Sequence, residues 1–336
     1  MRRMPATRGP LTGALLERLR ATPDSDGMPV PAFEPSGALF DEDLQLALYC
    51  CYELHYGGLP GVDERWEWNP GLLELRAELE TVFEQALLTA VGAPSDTAAP
   101  DEMDLALRAI AEADEGPSLS RYIERHADLD EALEFVIHRS AYQLKEADPH
   151  SWALPRLSGA PKAALVEIQA DEYGGGRPER IHAEMFGRSM EALGLDSSPG
   201  AYLDAIPAVT LATVNLMSML GLHRRWRGAI VGHLALFEMT SAIPNRRYAN
   251  GLRRLGFGEQ ATAFFDEHVE ADAVHENIAA VDLAGGLVRQ DPALGPTILW
   301  GARALAGLDG AWAHHVLHAW ELGRSSLRAP IAELAL

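Results

Sequence analysis

Helical periodicity dominates this chain of 336 residues. Apolar side chains recur every three or four residues, as Leu44, Leu48 and Tyr52 do after Asp41, which is placed to cap the first of these helices. That spacing lays apolar side chains along one face of an α-helix. No stretch shows the alternation of apolar and polar residues, rich in β-branched side chains, that is typical of a half-buried strand. The sequence therefore predicts an all-α fold.

Breaks in this periodicity divide the chain into four predicted regions. Residues 1–40 hold a short amphipathic patch and then a run rich in Pro, Ser and Asp, which predicts a partly ordered N-terminal arm. Residues 41–92 form a predicted N-terminal helical region, and residues 93–101 are the predicted linker. Residues 102–336 form the predicted bundle, with helices near 102–113, 118–126, 128–147, 162–173, 179–193, 207–221, 225–242, 246–255, 258–285, 292–306 and 309–323.

The composition argues against several classes of protein. The formal net charge of −21 argues against a nucleic acid or an anionic membrane as a partner. Cys50 and Cys51 are the only cysteines and are adjacent, so the chain offers no disulfide framework and suits a reducing cytosol. The basic N-terminus is not followed by an apolar run, and the most apolar stretch, residues 206–222, is too short to span a bilayer. We therefore expect a cytoplasmic protein.

One helical stripe carries three potential metal ligands. At about 100° per residue, Asp272 lies roughly 40° around the helix from His268, and His275 lies about 20° away on the other side. Apolar Phe264, Phe265, Ala271 and Val274 lie among them, so this part of the helix is predicted to be partly buried. A buried carboxylate needs a partner, and one divalent metal would satisfy all three groups. A surface helix with chance charges is the alternative.

Two further candidates flank a triple glycine. On an unbroken helix Glu172 and His182 would stand about 80° apart. The glycines between them, at 174–176, can supply the distortion that lets the two side chains converge. Alternatively, Glu172 is one acid of an acidic run.

Glu238 and Glu146 complete the candidates. Glu238 lies on a helix otherwise lined by apolar residues, where an unpaired carboxylate is uncommon. Its alternative is a salt bridge to Arg225 or Arg227. Glu146 ends the helix predicted over 128–147, and its alternative is a solvent-exposed helix end.

These four carboxylates and three histidines come from several helices of an all-α chain. Helical bundles build dinuclear carboxylate sites from acids and histidines that project inward. Four carboxylates would balance the charge of two ferrous ions, and oxygen and nitrogen ligands without thiolate suit iron or manganese. The predicted metal ligands are Glu146, Glu172, His182, Glu238, His268, Asp272 and His275.

At these positions the chain resembles the haem-oxygenase-like diiron oxidases, also described as iron-containing redox enzymes. The order Glu, Glu-x9-His, Glu, His-x3-Asp-x2-His is similar to the ligand pattern of the N-oxygenating members, and it falls on the seven residues above. The stretches 144–149, 171–174 and 232–238 also look like the family, and the resemblance covers about residues 130–325. Glu134, on the same predicted helix, is an alternative to Glu146 as the first ligand.

The resemblance implies a haem-oxygenase-like seven-helix bundle, here with an additional N-terminal helical region. It implies two irons, with O₂ as co-substrate, and oxidation of a small molecule by N-hydroxylation, oxidative C–C cleavage or desaturation. It assigns no catalytic residue beyond the metal ligands, and it implies that iron is held weakly enough to be lost in purification. An external electron donor would be needed, because the chain has no flavin or iron–sulfur motif. We also expect a homodimer, in which residues 1–90 contribute to the interface or shield the bundle.

Two other functions stay open from the sequence. A metal-independent enzyme could use the same bundle, with a Cys or Glu nucleophile and aromatic stacking partners. A metal-binding protein with a degenerate site would bind metal without consuming O₂.

Overall fold

The computed structural model describes residues 4–23, 37–113 and 116–334, without the side chains of Asp272, Ala273 and Ala332. These residues are largely helical and include no β-strand, so the predicted all-α fold is confirmed. The α-helices, α1 to α14 in chain order, are Pro10–Leu19, Glu42–Glu53, Pro70–Val91, Met103–Glu112, Leu119–Arg125, Leu129–Gln143, Asp148–Ser151, Gly159–Glu172, His182–Ala192, Ala208–Leu222, Arg227–Arg254, Glu259–Asn277, Gly286–Gln290 and Gly295–Glu321. A π-helical segment, Ile278–Gly285, joins α12 to α13. Short 3₁₀ turns lie at Glu64–Trp66, Leu154–Arg156, Gly174–Gly176, Pro178–Arg180, Arg224–Trp226, Pro292–Leu294 and Ile331–Glu333.

Side-chain caps begin several of these helices. The Asp41 side chain accepts a hydrogen bond of 2.8 Å from the Leu44 backbone N–H, so the cap predicted for α2 is confirmed. Asp128 and Glu131 form a reciprocal capping box at the start of α6. Each cap satisfies backbone N–H groups that the first turn of a helix leaves without a partner.

Two helices are longer than the sequence predicts. The helices predicted over 225–242 and 246–255 are one continuous helix, α11, with Pro244 inside it. The helices predicted over 292–306 and 309–323 are likewise one helix, α14. Proline and glycine weaken a helix locally, but α11 packs against α5, α12 and α14 along its length. This packing outweighs the local preference.

The N-terminal helices share the hydrophobic core of the bundle. α2 packs against α10, where the Asn215 side chain donates 2.8 Å hydrogen bonds to the backbone and side-chain oxygens of Gln45. Trp300 of α14 donates to the Gly92 carbonyl at the end of α3. In the predicted N-terminal arm, α1 packs against α2, whereas residues 1–3 and 24–36 lie outside the described residues.

Glycines allow α11 and α14 to pack backbone against backbone. A Cβ atom at Gly232 would overlap the Ile298 carbonyl group, and a Cβ atom at Gly301 would overlap that of Ala229. Any larger residue at these two positions would push the helices apart. Glu238 lies later on the same helix, α11, and is buried.

α10 is the apolar stretch noted in the sequence. Its side chains are almost all buried, as expected for a core helix. Across the described ranges, the helices lack the combination of length and apolar character that a bilayer crossing requires.

Candidate metal centre

Glu172 and His182 are brought together by the glycine turn. Glu172 is the last residue of α8 and His182 is the first of α9. The three glycines between them have φ angles of 69°, 59° and 80°, which other residues adopt only with strain. A Cβ at Gly174 would also lie 2.6 Å from the Arg180 carbonyl carbon, so this turn requires glycine for space as well. As a result, His182 Nδ1 lies 2.9 Å from Glu172 Oε2.

His268 is buried on α12 in a defined tautomer. Its Nδ1 lies 2.8 Å from the Phe264 carbonyl oxygen, which can only accept, so Nδ1 carries the proton and donates. In the neutral ring Nε2 then presents a lone pair, and it lies 3.6 Å from Glu146 Oε2. Histidines that bind metals are oriented by this kind of second hydrogen bond.

His275, two turns further along α12, faces carboxylates on both sides of its ring. Nε2 lies 3.1 Å from Asp171 Oδ2, and Nδ1 lies 3.4 Å from Glu238 Oε2 and 3.8 Å from Glu172 Oε1. The sequence did not single out Asp171. Because neighbouring helical residues point about 100° apart, Asp171 reaches the outer side of this ring while Glu172 points into the cluster. The sequence feature that could have indicated Asp171 is its position next to Glu172 at the end of α8.

The Asp272 side chain lies outside the described residues, although α12 includes its backbone. Its predicted place as a ligand stays a prediction. His268 and His275 are buried as predicted, but Val274 is 60% exposed, so the expectation that it lies on the buried face of α12 is wrong.

Glu146 lies in a turn, and its predicted place at the end of a helix over 128–147 is wrong. α6 ends at Gln143, and Ala147 adopts a φ of 71°, a left-handed conformation that costs energy for residues other than glycine. Gln169 of α8 holds this turn by donating a 2.8 Å hydrogen bond to the Ala147 carbonyl oxygen. The turn directs the Glu146 side chain into the protein, where it is buried, so the alternative of a solvated helix end is also wrong.

Glu134 is occupied elsewhere. Its Oε2 accepts hydrogen bonds from the Trp320 indole, the Ser326 backbone and the Ser326 hydroxyl. Of the two candidates for the first ligand, the structure therefore brings Glu146, and not Glu134, to the cluster.

Glu238 does not pair with the arginines of its own helix region. Arg225 binds Glu84 at 2.6 Å and Arg227 binds Asp291 at 3.1 Å. Glu238 is buried and lies nearest to His275. The salt-bridge alternative for this residue is therefore wrong.

Six of the seven predicted ligands thus form two overlapping buried sets. One set is Glu146, Glu172, His182 and His268, and the other is Glu172, Glu238 and His275, with potential ligand atoms within 4.8 Å of one another in each. Glu172 belongs to both sets. A void of about 10 Å³ lies between Glu146, Glu172, Glu238 and His268, which is about the size of one small ion or water molecule.

Several buried atoms of the cluster lack a hydrogen bond of regular geometry among the described residues. They include Glu146 Oε2, His182 Nδ1 and His275 Nδ1. Buried polar atoms without hydrogen bonds are costly in a folded protein. A divalent cation between the members of each set would satisfy such atoms, because the potential ligand atoms lie within 4.8 Å of one another.

The electrostatics of the cluster favour added positive charge. Burial lowers the pKa of His275, but the Glu238 carboxylate, followed by the charges of Glu172 and Asp171, outweighs it and raises that pKa to about 9. The pKa of His182 is raised in the same way, because the Glu172 carboxylate outweighs the effect of burial. Burial raises the pKa of Glu238, with the Glu172 charge adding to the effect. The metal-free cluster therefore holds protons in the places where a cation would stabilise the carboxylates.

The sequence of the bundle matches a known protein family. The family model described as "Iron-containing redox enzyme" matches residues 133–310. This chain belongs to the iron-containing redox enzyme family. The resemblance inferred from the ligand pattern is confirmed, and the helical bundle fits that family.

The chain is also similar in sequence to a nitrosourea synthase from Streptomyces achromogenes subsp. streptozoticus. It is 29% identical to this chain over 146 residues, which are 43% of this chain and 31% of that protein. The similarity therefore spans less than a third of the relative's own length.

Proposed function

We propose that this iron-containing redox enzyme is a non-haem diiron oxygenase or oxidase that uses O₂ to oxidise a small molecule. The observation that carries the proposal is the position of Glu172. This carboxylate is the member shared by two buried ligand sets. A shared carboxylate is what a bridge between two metal ions requires, and helical bundles build dinuclear sites in this way.

The chemistry of the donors supports iron. The described ligand sets offer carboxylate oxygens and imidazole nitrogens without a thiolate, a mixture that suits iron or manganese. Asp272 is the seventh proposed ligand and would bring the carboxylates to four. When bound, two ferrous ions would supply two of the four electrons that reduce O₂ to water, and the substrate or an external donor would supply the rest.

The residues of the chain would contribute ligation, orientation and proton control. Phe264 fixes the tautomer of His268, and Asp171 can hold the outer N–H of His275. His275 and Glu238 would release the protons that an entering cation displaces, since the pKa of each is raised here. Burial of the cluster keeps bulk water from the reacting groups.

Among the possible reactions, we favour oxidation of a nitrogen atom. The relative is named a nitrosourea synthase, and a nitrosourea contains an oxidised nitrogen. Oxidative C–C cleavage and desaturation are the other outcomes that similar ligand patterns imply. We further propose a small-molecule substrate, an external electron donor and a homodimer, without a nucleic-acid or membrane partner.

Two alternatives make different predictions. A metal-independent enzyme would not need two buried sets of carboxylates and histidines whose potential ligand atoms lie within 4.8 Å of one another. A metal-binding protein with a degenerate site would take up iron without consuming O₂.

The decisive experiment is anaerobic loading with Fe(II), followed by O₂ mixing in a stopped-flow absorbance instrument. We expect two irons per chain and a transient absorbance with O₂ uptake, whereas iron binding without O₂ uptake would contradict the proposal.

Alanine variants test the shared carboxylate directly. We expect Glu172→Ala to bind less than one iron per chain, because it removes a ligand from both sets. Glu238→Ala should keep about one iron, because only the set with His275 loses a ligand. Glu84→Ala, which removes the surface partner of Arg225, is the control and should bind two. Two tightly bound irons in Glu172→Ala would rule out a bridging role.

A further inference from the structure

A second cavity adjoins the metal centre. It has a volume of about 100 Å³ and lies among α6, α11, α12 and α14. Glu146 and His268 form part of its wall, so a molecule in this cavity would touch one of the two ligand sets. A closed apolar cavity of about 150 Å³ holds a benzene ring, and this smaller cavity is lined by both aromatic and polar side chains. The cavity is therefore suited to a small organic molecule.

One wall of the cavity carries a cation, Arg139, that makes no ion pair with any side chain the structure describes. The guanidinium of Arg139 lies over the rings of Trp312 and Phe237, 5.4 and 5.8 Å from their centroids. Gln143, one turn later on α6, accepts from Nε at 3.2 Å and from Nη2 at 3.1 Å when its amide oxygen faces the guanidinium. Among the described residues, no carboxylate oxygen lies within ion-pair distance of Arg139.

The lack of an ion pair in the described part of the chain distinguishes Arg139 within a strongly acidic protein. The sequence has 49 acidic residues against 28 lysines and arginines, so a nearby counter-charge would be easy to provide. A partly buried guanidinium held between aromatic faces is oriented before any ligand arrives, and its planar fork matches a carboxylate. Asp309 and Glu146 also line the cavity. Their carboxylates would repel a ligand that carries more than one negative charge.

We propose that Arg139 anchors the carboxylate of the substrate, which is a small monocarboxylate with a neutral or cationic body. This inference rests on the proposed function, because it takes the cavity beside Glu146 and His268 as the substrate site. The carboxylate binds at Arg139, and the rest of the molecule extends along Phe265 and Tyr248 toward the metal ligands. Arg139 thereby selects acids over the corresponding amides and orients the bound molecule.

Matched acids and amides test this selection without requiring turnover. The probes are benzoate with benzamide, isovalerate with isovaleramide, and L-leucine with L-leucinamide, with binding measured by ligand-observed NMR on metal-free and Mn(II)-loaded protein. In at least one pair we expect the acid to bind at least tenfold more tightly than its amide. Failure of every acid to bind, or equal binding of acid and amide in every pair, would overturn the proposal.

Variants assign the selection to Arg139. Arg139→Gln should bind the acid no better than the amide, whereas Arg139→Lys should keep part of the preference because a point charge remains without the fork. Arg227→Gln, which breaks a surface ion pair with Asp291, is the matched control and should behave as the parent does. Retention of the full acid preference in Arg139→Gln would overturn the assignment. Iron stoichiometry and O₂ uptake, measured on the same samples, report separately on the proposed function.

Discussion

His275 makes the stability of the metal-free protein depend on pH. Glu238, Glu172 and Asp171 face its ring and raise its pKa to about 9, above the usual value near 6.5 for an unfolded chain. The stability contributed by protonated His275 is therefore complete below about pH 6.5 and is lost as the pH rises toward 9.

The measurement is the melting temperature of metal-free parent and His275→Gln between pH 6 and pH 9.5. We expect the advantage of the parent to shrink as the pH rises through this window. Metal affinity should change in the opposite sense, since a cation must displace the proton on His275. A constant difference in melting temperature between parent and variant across this range would show that the neighbouring carboxylates do not raise the pKa of His275.

Asp171 should hold His275 in its metal-binding orientation. Removing a carboxylate that accepts from a ligand histidine usually weakens metal binding by about 10- to 100-fold. We predict a loss of this size in Asp171→Asn for the set that contains Glu238, with little change for the set that contains His268. Competition between the protein and a chelator for Co(II), followed by visible absorbance, measures both sites.

Glu167→Gln is the control for that experiment. Glu167 is exposed on the same helix, α8, and its substitution removes the same charge. Equal losses of affinity in both variants would indicate a general charge effect and not a role for Asp171.

At the scale of elements, the sequence predicted helix positions well where apolar periodicity was strong. The helical stripe of His268 and His275 could be predicted because it depends only on the geometry of one helix. The turn at Ala147 could not, because its left-handed conformation is held by a distant side chain, Gln169. The continuity of α11 through Pro244 was missed for the same reason, since tertiary packing outweighs local preference.

Two glycines of α14 should respond oppositely to the same substitution. Gly301→Ala would force a methyl group into the Ala229 carbonyl of α11, and we expect a cost of about 1–3 kcal/mol or more. Gly310→Ala meets nothing within 4 Å and should stabilise the helix by about 0.5–1 kcal/mol. Urea unfolding of both variants measures the difference. If Gly301→Ala proved neutral, the close packing of α11 on α14 would be wrong.

On the scale of the whole molecule, the N-terminal helices are part of the core but not of the cluster. Leu16 of α1 is fully buried, while each member of the two ligand sets lies at or after Glu146. We predict that Leu16→Ala lowers the free energy of unfolding by about 2–5 kcal/mol and leaves iron stoichiometry unchanged. The readouts are urea unfolding and iron content after anaerobic loading. A folded Leu16→Ala protein that binds less iron would contradict this separation.

The separation of the proposed ligands along the chain has a consequence for when a metal could bind during synthesis in the cell. Glu146 leaves the ribosome long before His275, and synthesis proceeds at roughly 5–20 residues per second. Throughout that interval the early carboxylates have no histidine from α12 beside them. Either ligand set is therefore complete only after translation has passed α12, and under the proposed function iron would bind to both sets only from that point.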